Sequence, residues 1–241
     1  MLKAFLLAAG LGSRLKPFTD TIPKCLLPFG SKPLLKIWLE LLRKHGFDQV
    51  LINTHWHHDA VEQFLENQNE RKLHVKSVYE PELLGSGGTL LANRDWIDDA
   101  QPFFILYGDN LTNVNLSDMY SFHQGHGLPF TLGTFWTETP QDCGIAEIGD
   151  DGVVRSFVEK PQNPKSNLAA AGVYVADRRI FNFFPQERKL TKPLDLGHHI
   201  IPNLVGKMRS YFISDFLMDI GTPESYELAK KAYTRGFSLS A

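Results

Sequence analysis

Ala4-Phe5-Leu6-Leu7-Ala8-Ala9-Gly10-Leu11-Gly12-Ser13-Arg14, with Lys16 and Lys24 following, decides how the rest of the chain reads. From Ala4 to Ala9 there is no polar alternation, the pattern of a strand buried on both faces. The run stops at Gly10, and Gly10, Gly12 and Ser13 then make a loop with almost no side-chain bulk ahead of Arg14. Glycine in such a turn tolerates φ > 0 and lets backbone N–H groups come close to an anion. Arg14 supplies a rigid donor fork suited to phosphate oxygens, and the two lysines add mobile positive charge. The stretch therefore reads as a polyphosphate seat at the carboxyl end of the first strand of an α/β sheet; the competing reading is an ordinary tight turn with exposed basic residues. A P-loop is excluded, because no Gly-Lys-Ser/Thr closes the glycine run. The dinucleotide fingerprint fails too, since a basic residue stands inside the loop and no acidic residue follows at ribose-binding distance.

Working outward, Pro33 opens a helix whose apolar face is Leu34, Leu35, Ile37, Trp38, Leu41 and Leu42, ended by Lys44, His45 and Gly46. Val50–Ile52 is a second strand, Asp59–Asn67 a helix, and Leu73–Tyr79 a third strand. Glycines 85, 87 and 88 form a loop before a helix predicted over Thr89–Trp96, and Phe103–Tyr107 is a fourth strand ending at Gly108-Asp109. This alternation predicts a mostly parallel, Rossmann-like sheet flanked by helices. Beyond about residue 125 the pattern turns β-rich: strands at Phe130–Trp136, Gly144–Ile148 and Val153–Glu159, the last two joined by a hairpin at Gly149-Asp150-Asp151-Gly152. Ala171–Ala176 is a further strand, Asp177–Phe184 a short helix, Leu196–Leu204 a weaker helix, and Tyr211–Phe216 and Leu217–Ile220 are extended. Thr222-Pro223-Glu224 starts the last helix, which runs to about Arg235. No internal repeat is present, and no hexapeptide pattern that would build a left-handed β-helix.

With 241 residues the chain suits one large α/β domain or a core with a small lobe. A formal charge of −2 argues against a nucleic-acid-binding surface, and two cysteines, Cys25 and Cys143, make neither a disulfide framework nor a metal ligand set. The N-terminal apolar run is too short to span a membrane and lacks a signal-peptide layout.

Two carboxylates invite chemistry. Asp109 sits where an apolar strand ends, a place suited to holding a hard cation or to capping a turn. Asp219, in Leu217-Met218-Asp219-Ile220-Gly221, is flanked by apolar residues, where an unpaired charge is costly and calls for a partner or metal. Glu159-Lys160 follows a strand and is by itself a commonplace surface pair. Thr54-His55-Trp56-His57-His58-Asp59 superficially resembles the zinc motif of metallo-β-lactamase-like hydrolases, but Ala60 stands where a histidine is required. These residues read as the start of a helix, with Asn53 near a base or sugar pocket, and His198-His199 as helix surface or subunit contact.

Leu7-Ala8-Ala9-Gly10-Leu11-Gly12-Ser13-Arg14-Leu15, then Pro23-Lys24 and Lys32-Pro33, resembles the opening motif of the sugar-1-phosphate nucleotidyltransferases. The resemblance implies that Leu7, Ala8, Ala9, Gly10, Gly12, Ser13 and Arg14 bind nucleotide, that Arg14 grips the triphosphate, and that Lys24 reaches the phosphates. It further implies that Asp109 and Asp219 together hold Mg²⁺, with Arg14, Lys24, Asp109 and Asp219 as the catalytic set. Glu159 would contact sugar hydroxyls, Lys160 the sugar phosphate, and Gly144 and Gly172 would line the sugar side, Cys143-Gly144 matching the family's Xaa-Gly position. One departure is Ala170, where the family usually shows asparagine; that hydroxyl contact is lost, or is supplied by Asn167 or another group.

Tyr79-Glu80-Pro81-Glu82-Leu83-Leu84-Gly85-Ser86-Gly87-Gly88 resembles the family's base-recognition region, in which Gly85, Gly87 and Gly88 would let a base lie against backbone. Glu80 has two acceptor oxygens that match the N1–H and exocyclic amine of guanine, and the string is similar to that of mannose and heptose 1-phosphate guanylyltransferases. The expectation is a single nucleotidyltransferase domain, with a nucleotide-binding part at 1–125 and a sugar-binding part with closing elements at 126–241. It would be a cytoplasmic, Mg²⁺-dependent enzyme transferring a nucleoside monophosphate from GTP to a mannose- or heptose-type 1-phosphate. No nucleic-acid or membrane partner is expected, and a homodimer is possible on this reading. A uridylyl- or thymidylyltransferase for glucose-type or amino-sugar 1-phosphates and a non-catalytic nucleotide-sugar-binding protein are the alternatives. A glycosyltransferase-like domain is disfavoured because it gives no reason for the Gly10–Lys24 loop.

Overall fold

The computed structural model describes residues 1–68, 72–97, 101–185 and 193–236. After β1 (Lys3–Leu7), 3₁₀ turns at Ser13–Leu15, Phe18–Asp20 and Lys24–Leu26 lead to the short strands β2 (Pro28–Phe29) and β3 (Lys32–Pro33) and then α1 (Leu34–Lys44). β4 (Gln49–Thr54), α2 (His58–Glu66), β5 (His74–Tyr79), α3 (Ser86–Ala92) and β6 (Phe103–Tyr107) continue the alternation. β7 (Asn110–Thr112) and α4 (Leu116–His126) precede four strands: β8 (Phe130–Trp136), β9 (Gly144–Ile148), β10 (Val154–Glu159) and β11 (Leu168–Ala176). β12 (Met208–Phe212), β13 (Leu217–Asp219) and α5 (Pro223–Thr234) complete the order. No described helix is long and apolar enough to cross a membrane.

By internal contacts the chain divides into two units. The first comprises Met1–Leu83, Leu106–Asn115 and the chain from Asp215 onward. Its β1 and β4 run parallel, Ala4 opposite Val50 and Leu6 opposite Ile52, and β5 continues parallel to β4. Ala4, Phe5, Leu6, Val50, Leu51 and Ile52 have no exposed surface, which is what an unbroken apolar run predicts for a strand with both faces covered. In α1, Leu34, Leu35, Trp38, Leu39 and Leu42 form the buried stripe, and Arg43 and Lys44 in the last turn complement the helix dipole. α5 starts on a reciprocal cap: Thr222 Oγ1 accepts from the Ser225 amide at 3.2 Å, and Ser225 Oγ accepts from the Thr222 amide at 3.1 Å. Tyr226 anchors that helix, its hydroxyl donating to Pro28 O at 2.7 Å and its ring set edge-on to Phe29.

The second unit comprises Leu84–Ile105 and Leu116–Ser214. β8 and β11 are antiparallel, β9 pairs both β10 and β11 antiparallel, and β12 adds parallel to β8. The Gly149–Gly152 turn does join β9 to β10, with Gly152 at φ 76°. β11 breaks register between Ala170 and Tyr174, and Gly172 at φ 66° lies within that bulge.

The expected Rossmann-like sheet with helices and a β-rich later part is the observed fold, its strand pairing mixed rather than parallel throughout. Several boundaries differ. The helix expected to start at Thr89 begins at Ser86, because the Gly87 and Gly88 amides donate to Leu194 O and so start the turn early; it stops at Ala92, with a 3₁₀ turn at Arg94–Trp96. The strand expected from Ala171 begins at Leu168, and the extended segment expected at Tyr211–Phe216 is Met208–Phe212. Leu196–Leu204 is a π turn followed by a 3₁₀ turn carrying Pro202, which cannot continue an α-helix. α4 escaped the sequence reading: its polar composition hides the buried Leu116, Met119 and His123 stripe.

Candidate functional site

In the first unit the loop ends of several strands are tied together by backbone. The Gly108 amide donates to Leu7 O at 2.9 Å, and a Cβ at residue 108 would lie 3.0 Å from that oxygen. Glycine is what lets the two strand ends approach so closely. Asp109 comes next, and three contacts fix its surroundings. Trp38 Nε1 donates to Asn110 O at 2.9 Å, the Ile220 amide donates to Asp109 O at 3.0 Å, and β7 pairs antiparallel with β13 so that Asn110 faces Asp219.

The result is that Asp109 and Asp219, remote in sequence, meet on one lysine. Lys24 Nζ donates to Asp109 Oδ2 at 2.7 Å and to Asp219 Oδ1 at 3.4 Å, which bounds those two oxygens to about 6 Å apart. Lys24 is only 8 % exposed. Burial alone would lower its ammonium pKa, but Asp109 and Asp219 outweigh that and raise it. Asp219 is pushed upward by burial and then by the like charge of Asp109, while Lys24 and Arg14 pull the other way; solvent over its half-exposed side chain screens the effect. Arg14 belongs to the same neighbourhood: a Cβ on Gly221 would lie 2.6 Å from Asp219 Oδ2 and 3.0 Å from Arg14 Nη2. Gly10, Ser13 and Arg14 are exposed, with no atom crowding Gly10.

Among the described residues no group of three or more His, Cys, Asp or Glu side chains gathers to make an all-protein cage. Mg²⁺ asks for less, one or two carboxylates with water and substrate phosphates completing its shell, so the Asp109–Asp219 pair fits that ion. The histidines of 55–58 are otherwise engaged: His55 Nδ1 with Glu80 O, His57 Nε2 with Asp20 O, and His58 Nε2 with Asp59.

Glu80 is buried, 2 % exposed, rather than a solvent-facing loop residue. Its Oε1 accepts from Asn53 Nδ2 at 3.0 Å, and Asn53 Oδ1 in turn accepts from the Ala8 amide at 2.8 Å. One accepted bond leaves further lone pairs on the two Glu80 oxygens, so holding Asn53 against the end of β1 does not use up its capacity to accept. Tyr79 beside it is half-exposed and lies against the His58 ring, with centroids 4.2 Å apart.

In the second unit the glycine-rich loop has an occupant. The Gly87 and Gly88 amides donate to Leu194 O at 2.8 and 3.0 Å, and the Leu194 amide donates to Leu84 O at 2.8 Å. A Cβ on Gly85 would lie 2.5 Å from that carbonyl oxygen. Ile200 Cδ1 lies 2.7 Å from a Cβ on Gly87 and Leu84 Cβ 2.9 Å from one on Gly88, so the chain's own residues occupy these faces, and Asp195 secures the loop, accepting from Ser86 Oγ at 2.9 Å. Glu159 stands between two glycines, its Oε2 lying 2.5 Å from a Cβ on Gly144 and 2.4 Å from one on Gly197. Burial, then the neighbouring Asp195 charge, raises the Glu159 carboxyl. Lys160 is exposed, holds φ 48°, and donates its amide to Cys143 O at 3.0 Å. Asn167 Nδ2 donates to Thr137 O at 2.8 Å, which ties this amide to the chain just past β8.

The sequence pattern of the family described as "Nucleotidyl transferase" matches residues 3–236. The chain belongs to that family. Among curated relatives of this chain, a mannose-1-phosphate guanylyltransferase catalytic subunit beta of Danio rerio is 34 % identical over 230 residues, and its Dictyostelium discoideum counterpart 32 %. Each alignment covers 93 % of this chain and 62 % of the relative. The chain thus spans less than two thirds of the length of these relatives. A solved UDP-glucose pyrophosphorylase superposes with a TM-score of 0.83 at 23 % identity, covering 98 % of this chain and 99 % of that one, and shares its fold.

Sequence reasoning passed over Leu194, Asp195 and Ser86, which brace the glycine loop. Leu194 acts through its backbone, so no side-chain motif could have flagged it. It also read Lys24 as reaching toward phosphate, without the carboxylate pair on which its ammonium rests.

Proposed function

We propose that this chain transfers a nucleoside monophosphate from a nucleoside triphosphate to a sugar 1-phosphate, releasing pyrophosphate. The observation that carries this reading is Lys24 Nζ set on both Asp109 and Asp219, with Arg14 alongside. An oxygen of the sugar 1-phosphate attacks the α-phosphorus, the new P–O bond forms, and the bond to the β-phosphate bridging oxygen breaks. The nucleophile is already anionic, so no general base is needed; the barrier is repulsion and misalignment of two anions. Arg14 and Lys24 neutralise triphosphate charge and fix its position, with the loop from Leu7 to Ser13 supplying backbone donors. Glu159 takes sugar hydroxyls, Lys160 the sugar phosphate, and Gly144 and Gly172 leave room for the ring. Asp109 and Asp219 would hold Mg²⁺, which when bound supplies further charge neutralisation at the phosphates.

The part at 1–125 serves the nucleotide and the part at 126–241 the sugar on this proposal. GTP with a mannose- or heptose-type 1-phosphate is the favoured pair, supported by the names of the curated relatives and by the acceptor oxygens of Glu80. Exposed Trp136 and Phe212, on β8 and β12, favour a homodimer, which sedimentation would read. The deciding experiment is a matrix of four nucleoside triphosphates against mannose, heptose, glucose and amino-sugar 1-phosphates, followed by pyrophosphate release with Mg²⁺. Release with GTP and a mannose or heptose 1-phosphate is expected; no release in any cell of the matrix refutes the reading.

A further inference from the structure

The Thr54–Asp59 stretch outlines a metal site that it does not complete, yet two of its side chains reach back to the 3₁₀ turn Phe18–Asp20. Trp56 Nε1 donates to Thr19 O at 3.0 Å. His57 Nε2 lies 3.0 Å from Asp20 O, a carbonyl, so that nitrogen carries the hydrogen. The Trp56 and His57 rings meet edge-on, 4.5 Å between centroids, with His57 held at φ 50°. That backbone conformation is costly for a side chain other than glycine and persists where its surroundings enforce it.

Thr19, 1 % exposed, passes this restraint on. Its hydroxyl donates to Gly12 O at 2.7 Å, and the Leu15 amide donates to the same oxygen at 2.9 Å. Two donors on one carbonyl fix the Gly12–Ser13 peptide plane. In a trans peptide the N–H points opposite to the C=O. With Gly12 O turned inward to Thr19, the Ser13 amide is aimed outward, next to exposed Arg14. The Thr19 methyl Cγ2 also lies 2.7 Å from where a Cβ on Gly12 would be, so beside Thr19 only glycine fits at position 12, held at φ 63°.

We propose that Thr19, held by Trp56 and His57, is a positioning residue that aims the Ser13 amide and Arg14 at the triphosphate. The inference rests on the reading of the Gly10–Arg14 loop as the triphosphate seat. Its test uses the full chain with Thr19→Val, Thr19→Ser and Trp56→Phe, measuring KM for nucleoside triphosphate and for sugar 1-phosphate, and calorimetric Kd for inorganic tripolyphosphate. Thr19→Val and Trp56→Phe each remove one neutral donor and should raise triphosphate KM and tripolyphosphate Kd about five- to tenfold, leaving sugar 1-phosphate KM within about twofold. Thr19→Ser keeps the hydroxyl and should stay within about twofold of wild type throughout. A Thr19→Ser as damaging as Thr19→Val, parallel rises in both KM values, or an unmoved tripolyphosphate Kd overturns the proposal. If Thr19→Val does not fold, Trp56→Phe, at a partly exposed position, carries the same expectations. A wild-type chain that binds tripolyphosphate but releases no pyrophosphate refutes the transferase reading and leaves the Kd comparison to judge Thr19. An active wild type with variants that match it refutes the role of Thr19 alone.

Discussion

At Asp109 the carboxylate meets Lys24 while the backbone carbonyl accepts from Ile220, so its charge and its place in the scaffold are separable. Asp109→Asn should lower turnover about a hundredfold or more at saturating Mg²⁺ while leaving the thermal midpoint within a few degrees; near-normal turnover would remove Asp109 from catalysis. Two glycines give a second contrast. An alanine at Gly197 would meet first the end of the flexible Glu159 side chain, with Asp195 Oδ1 next at 3.3 Å, so Gly197→Ala should raise sugar 1-phosphate KM roughly tenfold, with little change in melting or in triphosphate KM. Gly85→Ala would instead drive a methyl into the Leu194 backbone at φ 79°, and should cost roughly 2 kcal/mol or more of stability in denaturant titration. The motif around Gly85 is visible in the sequence, but the partner that makes glycine necessary there is not. A run of small residues reads the same whether a ligand or the chain's own backbone fills the space. Asp109 and Asp219 are individually ambiguous in the sequence for a related reason, since only strand pairing between β7 and β13 brings them together.

Elements set these residues in place through few contacts. The turn carrying Asp109 hangs from α1 by the Trp38 indole, and Trp38 is 1 % exposed. Trp38→Phe would leave a buried carbonyl without this donor and should cost about 1–3 kcal/mol by urea unfolding, with a matching fall in turnover as the turn loosens. Thr222→Ala, which removes the reciprocal cap of α5, should cost about 1 kcal/mol by the same measurement. Elements with strong periodicity or complete punctuation were legible: β1, α1, β6, β8 and α5, the last announced by Thr222-Pro223. Those set by partners elsewhere were not. The early start of α3 comes from Leu194 O, and α4 carries its stripe on a Met and a His among polar residues.

In the second unit, one pair of histidines couples folding to acidity. Thr131 Oγ1 contacts His123 Nδ1 at 2.8 Å and His126 Nε2 at 2.7 Å, while His126 Nδ1 accepts from the Leu128 amide. That last bond puts the His126 hydrogen on Nε2, so Thr131 accepts from His126 and donates to His123. Burial, then the charge of His126, pushes His123 down to about 4 against the opposing pull of Asp177, with Arg179 adding to the drop; Arg209 acts on His126. The unfolded chain therefore takes the proton more readily. This contribution to stability is complete above pH 6.5, the ordinary histidine value, and drains away as pH falls toward 4, by roughly 3 kcal/mol in all. Urea midpoints measured from pH 7 to pH 4 should fall, and His123→Gln should flatten the slope. The division of the chain has a consequence for biosynthesis. The first unit is assembled from three stretches, the last beginning at Asp215. A ribosome making the protein from its amino terminus releases every residue of the second unit before Asp219 and the tyrosine anchor of α5 emerge. The first unit must then wait, with β1 and β4 already made, for Asp219 and its final helix. Nascent chains arrested before residue 215 should offer protease a loose amino-terminal portion beside a finished middle.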